Sequence, residues 1–126
     1  MNKITKNMDL VFYLAAVSSP PEFEILIFEG YEINVMGTYN VIAASAVNNV
    51  RRVILASSSP VYGNMIKIAR KSDLKDKFEN FYPLSKRINE LTGSVFLNYG
   101  LEIVSLRYFN TYGINENMKG NYASVI

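Results

Sequence analysis

The sequence predicts an α/β domain built on a parallel sheet, in the order strand–helix–strand–helix–strand. Three observations carry this expectation. Continuous apolar runs without polar alternation occur at Asp9–Leu14, Arg51–Ala56 and Leu101–Leu106, as in strands buried on both faces of a parallel sheet. Two segments of helical periodicity, Ile33–Val47 and Pro83–Tyr99, separate the runs. Connections of that length and type join parallel strands by right-handed crossovers.

The first run follows Lys3 and Lys6 and precedes small residues, an outline shared with secretion signals. It is short, Asp9 abuts it, and Ser18-Ser19-Pro20-Pro21 reads as a strand-end loop. A buried strand of roughly 4–8 residues is therefore the expectation. In the first helix Val35, Tyr39, Ile42 and Ala46 recur at helical spacing, with Met36, Ala43 and Val47 beside them, and Asn48-Asn49 closes it. In the second, Pro83 suits a first turn, where its missing N–H costs nothing. Ile88, Leu91, Val95 and Tyr99 form its apolar stripe, and Gly100 stands where a left-handed cap belongs. The irregular stretch Gly63–Phe81 carries Lys67, Arg70, Lys71, Lys75 and Lys77 against Asp73, Asp76 and Glu79. It reads as a solvated loop or short surface helix, with a phosphate- or nucleic-acid-binding patch as the alternative.

Composition bounds the chemistry. The 126 residues, 49% apolar and 19% charged, make one soluble globular domain spanning 1–126. The chain has no cysteine and no histidine. Disulfides, thiolate nucleophiles, histidine triads and His- or Cys-ligated metals are excluded, and no metal site is expected. Any acid or base must be Tyr, Lys, Asp or Glu. A net charge of +2 is too weak a bias for nucleic acid. No stretch approaches the roughly 20 apolar residues of a membrane span, so a cytoplasmic location without membrane contact is expected.

Ligands of open α/β sheets bind beyond the carboxyl ends of the strands. Here those ends read Leu14-Ala15-Ala16-Val17-Ser18, Ser57-Ser58-Ser59-Pro60-Val61-Tyr62-Gly63 and Arg107-Tyr108-Phe109-Asn110-Thr111-Tyr112-Gly113, small or polar directly after greasy strands. Tyr82 and Lys86 stand four apart at a helix start and share one face. A free phenol has a pKa of about 10 and is a poor base at neutral pH. A lysine ammonium beside it favours the phenolate, so the pair can do acid–base work without histidine. A hydroxyl of the serine cluster can donate to the same substrate oxygen.

Ser57-Ser58-x-x-Val61-Tyr62-Gly63, Tyr82-Pro83-Leu84-Ser85-Lys86 and Leu106-Arg107-Tyr108-Phe109-Asn110-x-Tyr112-Gly113, with Asn34-Val35-x-Gly37-Thr38 and Leu14-Ala15-Ala16, resemble the extended short-chain dehydrogenase/reductases. Among these the chain is most similar to the NAD-dependent sugar-nucleotide epimerases and dehydratases, of the UDP-glucose 4-epimerase kind. The resemblance implies a partial Rossmann-type sheet. It implies Tyr82 as catalytic acid/base, Lys86 as the residue that binds the nicotinamide ribose and tunes Tyr82, and Ser58 as the bridge to the reacting sugar hydroxyl. It implies cofactor contacts from Leu14, Ala15, Ala16, Asn34, Ser57, Tyr82, Lys86 and Phe109. Asn110, with Ser58 and Tyr82, would contact the nucleotide-sugar. In such enzymes a hydride leaves a sugar carbon for NAD while the base takes the hydroxyl proton.

The sequence also departs from the family pattern. The strand, glycine-rich turn and helix that hold the pyrophosphate, and the acidic residue that reads the adenosine ribose, have no counterpart. The chain therefore reads as the middle segment of a longer enzyme, lacking the N-terminal glycine-rich βαβ half. The cofactor expected is NAD, with NADP left open because the discriminating residue belongs to that half. Tyr13 replaces the histidine often found before Leu-Ala-Ala. Ser59-Pro60 replaces the acidic pair that tends to follow the catalytic hydroxyl residue in dehydratases, which favours epimerase or dehydrogenase chemistry. Strand Asp9–Leu14 would present an unpaired apolar edge, prone to homo-oligomerisation or to pairing with the missing half. The alternative reading is a non-catalytic remnant, or one half of a split enzyme that needs a partner chain for its cofactor.

Overall fold

The computed structural model describes residues 3–63, 77–111 and 113. Lys67, Arg70, Lys71 and Lys75 of the basic stretch, and Tyr112 of the third strand end, lie outside the described residues.

The three apolar runs become three parallel strands: β1 (Leu10–Tyr13), β2 (Arg52–Ser58) and β3 (Glu102–Tyr108), side by side in that order. Leu10 pairs with Arg52 and Tyr13 with Leu55; Arg52 pairs with Glu102 and Ser58 with Tyr108. The arrangement is a partial Rossmann-type sheet. β2 outruns its apolar run, because Ser57 and Ser58 stay in register with Arg107 and Tyr108. Backbone pairing, not side-chain polarity, sets that end, and it carries Ser58 to the rim of the sheet.

Between β1 and β2 the chain forms α1 (Pro20–Ile25), α2 (Ile27–Tyr31), a π-helical turn (Glu32–Met36) and α3 (Gly37–Val47). Of the stretch expected to be a strand-end loop, Ser18 and Ser19 are loop and Pro20-Pro21 open α1. The Ser19 hydroxyl accepts from the Glu22 N–H at 3.4 Å, and two prolines occupy the first turn, a favourable start for a short helix. Between β2 and β3 stand a 3₁₀ turn (Ser59–Tyr62), α4 (Phe81–Phe96) and a second 3₁₀ turn (Leu97–Tyr99). Gly100 follows at φ +79°, the left-handed cap that glycine enters without a Cβ penalty.

α3 and α4 cover one face of the sheet. Ile42, Val50, Val53, Leu55 and Leu101 form the core there, with Val11, Tyr13, Ala46, Phe96 and Ile103 packed against it. Each fully buried aliphatic side chain contributes roughly 1.5–3 kcal/mol. The other face holds Leu10, Phe12 and Leu106, all exposed, and the half-buried Ile54 and Val104. Among the described residues no helix covers it, although parallel sheets ordinarily bury both faces.

α4 does not turn its expected stripe inward, and α3 does so only in part: Ile42 is fully buried and Ala46 packs on the core. α3 buries Thr38, Val41, Ile42, Ala44 and Ser45 and leaves Tyr39 and Val47 exposed. α4 buries Tyr82, Pro83, Ser85, Lys86, Asn89, Glu90 and Gly93, while Leu91, Val95 and Tyr99 are 50%, 54% and 74% exposed. Two causes are visible. A Cβ on Gly93 would lie 2.9 Å from Ile103, so glycine lets α4 approach β3 closely. On the same face Ser85, Lys86, Asn89 and Glu90 each meet a polar group of another element.

Candidate active site

The carboxyl ends of the strands border an open cleft of about 1000 Å³. Leu14 and Ala16 after β1, Ser57 and Ser58 at the end of β2, Tyr82 and Lys86 on α4, and Phe109 and Asn110 after β3 all line it. Three strand ends and the first turns of α4 thus converge on one space. Ile25 and Leu26 of the α1 segment add an apolar wall.

Tyr82 and Lys86 are 6% and 5% exposed. Lys86 Nζ lies 5.8 Å from the Tyr82 ring centroid and donates to the Ala56 carbonyl at 2.9 Å. Burial disfavours the ammonium and pushes Lys86 down to about 8. Its proton therefore titrates near physiological pH.

The backbone of Tyr82 is fixed by Ser85, whose hydroxyl donates to the Tyr82 carbonyl at 2.7 Å. Its ring meets the ring of Phe23 edge-on, with centroids 6.2 Å apart. Phe23 is fully buried, and a Cβ on Gly30 would lie 2.8 Å from it. The segment 20–31 therefore shapes the site by placing an aromatic wedge against the tyrosine.

Two expected cofactor contacts are placed differently. Asn34 is 1% exposed and does not line the cleft. Its amide accepts from the Val17 N–H at 2.8 Å, donates to the Val17 carbonyl at 3.0 Å, and reaches Ser85 Oγ at 3.4 Å. Its own carbonyl accepts from Asn89 Nδ2 at 2.8 Å. It supports the loop after β1 from beneath, because a buried amide must satisfy both its donors and its acceptor. Ala15 is exposed but stands outside the cleft lining.

Ser57 borders the cleft, yet its hydroxyl donates to Glu90 Oε1 at 2.6 Å. Glu90 also accepts from Arg107 through two bonds, Nε at 2.8 Å and Nη2 at 2.9 Å, and from Arg87 at 3.1 Å. Arg107 donates onward to the Tyr62 hydroxyl at 3.1 Å, and its guanidinium lies 4.9 Å from that ring centroid. Tyr62 stacks on Phe109, with centroids 6.2 Å apart. Burial works to raise the Glu90 pKa, but hydrogen bonds from Arg107, Ser57 and Arg87 outweigh it and hold the carboxyl below its ordinary value. Arg107 is held above its own by the Glu90 bond.

Sequence reasoning found most of the polar residues that face the cleft, but neither its Ile25–Leu26 wall nor most of the residues that hold it. Phe23, Ser85, Asn89 and Glu90 had a readable signal only in retrospect. Tyr82, Ser85, Lys86, Asn89, Glu90 and Gly93 recur at helical spacing just as an apolar stripe would.

The model of the NAD dependent epimerase/dehydratase family matches residues 1–126. A UDP-N-acetyl-alpha-D-glucosaminuronate decarboxylase of Bacillus cytotoxicus is 31% identical over 131 aligned residues, covering 100% of this chain and 40% of the decarboxylase. Among solved structures, a UDP-N-acetylglucosamine 4-epimerase from Methanobrevibacter ruminantium in complex with UDP-N-acetylmuramic acid is 34% identical. It superimposes with a TM-score of 0.90 over 98% of this chain and 40% of the epimerase. A UDP-glucuronic acid 4-epimerase from Bacillus cereus, in complex with UDP-glucuronic acid and NAD, is 28% identical. Its TM-score is 0.79 over 89% of this chain and 36% of its own length. The chain thus spans well under half the length of these relatives.

Proposed function

Because this chain belongs to the NAD-dependent epimerase/dehydratase family, we propose that its cleft takes the nicotinamide-ribose end of NAD and the sugar of a nucleotide-sugar. One observation carries the reading. Ser58, Tyr82, Lys86 and Asn110, whose roles come from separate sequence motifs, border the same space.

The residues present fit that end of the cofactor. The cleft is at the upper end of the roughly 300–1,000 Å³ of ordinary ligand pockets. Ala16 is small enough for a flat ring to approach, and one of the three Lys86 protons engages Ala56, which leaves donors for a ribose diol. The glycine-rich cradle for a pyrophosphate is absent from the sequence. NAD, when bound, supplies the hydride acceptor. Tyr82 takes the proton of the sugar hydroxyl, with Lys86 one turn away on the same helix face. Ser58 donates to the same oxygen, and Asn110 holds the nucleotide-sugar. Tyr82 then returns its proton to that oxygen. Ser59-Pro60 after Ser58 supplies no acid for elimination, which favours a UDP-sugar 4-epimerase-like reaction.

A second reading keeps the binding site and drops independent turnover. Phe12 and Leu14 are 62% and 61% exposed on and beyond β1. A partner chain carrying the pyrophosphate site, or a second copy, would cover this edge.

Thermal unfolding with and without millimolar NAD and UDP-glucose tests the proposal. Binding to the folded state adds about 2.7 kcal/mol at a hundredfold excess over Kd. A saturable shift that Lys86→Ala abolishes is expected. A cooperative melt that neither ligand moves would contradict binding by this chain alone and leave the partner-dependent reading standing.

A further inference from the structure

Tyr82, Lys86 and Glu90 follow one another at four-residue spacing on the buried face of α4. Two of them grip neighbouring residues of β2. Lys86 Nζ donates to the Ala56 carbonyl at 2.9 Å, and Glu90 Oε1 accepts from the Ser57 hydroxyl at 2.6 Å. Ser58 is the next residue of that strand. The first grip is the one a ligand would disturb, since Lys86 lines the cleft, whereas Glu90 does not. Glu90 is also the only one of the pair anchored on a third element, through both its bonds to Arg107 of β3.

We propose that Glu90 is a positioning residue: by clamping Ser57 and Arg107 it holds α4 against the ends of β2 and β3, so that Lys86 and Tyr82 keep their place opposite Ser58. This deepens the functional reading above and rests on it for the roles of Lys86, Tyr82 and Ser58. The clamp matters most when Lys86 turns from Ala56 towards a ligand, because the Ser57–Glu90 bond then still ties α4 to the end of β2. The clamp extends through Arg107 to Tyr62, and through Tyr62 to the Phe109 ring on the far wall of the cleft.

The test needs no turnover. The full chain, Ser57→Ala and Glu90→Gln are each acetylated with acetic anhydride across a pH series, and modification of Lys86 is followed by mass spectrometry. Far-ultraviolet melting establishes that each protein is folded at the temperature used. Ser57→Ala removes only the tether and leaves the Glu90–Arg107 pair intact, so it carries the test should Glu90→Gln fail to fold. In the unaltered chain the Lys86 profile turns over near 8. Loosened docking lets water reach the ammonium, so in both variants the midpoint moves upward toward 10.5, the ordinary lysine value. Loss of the Glu90 charge by itself would move it the other way. An unmoved or lowered midpoint in Ser57→Ala overturns the proposal. So does a rise in Ser57→Ala that a folded Glu90→Gln does not share, since the effect would then belong to Ser57 alone. Binding of NAD and UDP-glucose is measured on the same samples. A midpoint raised in both variants, together with an unaltered chain that binds neither ligand, supports the clamp and contradicts ligand binding by this chain alone.

Discussion

Asn34 grips both backbone polar groups of Val17, accepting from its N–H at 2.8 Å and donating to its carbonyl at 3.0 Å. One buried side chain thus does for the loop after β1 what a neighbouring strand would do. Asn34→Ala leaves both Val17 groups without that partner and is expected to cost about 1–3 kcal/mol. Asn34→Asp is expected to be no better, since a carboxylate cannot donate to the Val17 carbonyl. Chemical denaturation of the two variants checks both expectations.

Lys86 sets a pH dependence. Its folded value, about 8, lies below the ordinary 10.5. Between those values the unfolded chain binds more protons than the folded one, so stability rises with pH across that window. Below about 8 the cost of burying the charge is fully present. Lys86→Met, which has no proton to bind, should flatten the rise. Denaturant midpoints measured from neutral to alkaline pH, in both proteins, give the comparison.

Glu90 acts at the acid end with the opposite sign. Its folded pKa is depressed below 4.5 by hydrogen bonds that outweigh burial. The stability it contributes is present above the unfolded value and is lost as pH falls through the folded one. Glu90→Gln should lower stability at neutral pH by about 2 kcal/mol, the scale of hydrogen bonds to charged groups. It should also weaken the acid dependence. Parallel acid titrations of stability, followed by circular dichroism, read both effects.

Gly30→Ala should loosen Tyr82 from a distance. The added methyl would meet three atoms of the buried Phe23 ring at 2.8–3.0 Å, and a rigid ring cannot bend away. Overpacking of this kind costs about 1–3 kcal/mol. Because Phe23 also abuts Tyr82, the variant is expected to lose ligand-induced stabilisation as well as intrinsic stability, whereas a change far from the cleft would lower only the latter.

The strands were legible because apolar runs such as Arg51–Ala56 have no other economical reading, and the crossover order followed from them. The cleft was legible because its lining residues sit in ordered motifs after those strands. The support beneath it was not. Asn34 reads as a cofactor contact, and nothing in its motif tells that its amide also engages Val17. Glu90 stands in no motif, and the convergence of Ser57, Arg87 and Arg107 on it is visible only in the fold. Hydrophobic periodicity picked the wrong face of α4, since Leu91 and Val95 are exposed while Lys86 and Glu90 are buried. A polar face packs inward when every group has a partner from another element, and those partners are distant in sequence.

If Lys86 and Tyr82 form a nicotinamide-ribose site in this chain, isothermal calorimetry with NAD reads the binding itself. The unaltered chain should give a saturable binding heat that disappears in a folded Lys86→Met. A binding heat unchanged by that substitution, or none from a folded unaltered chain, would contradict that site.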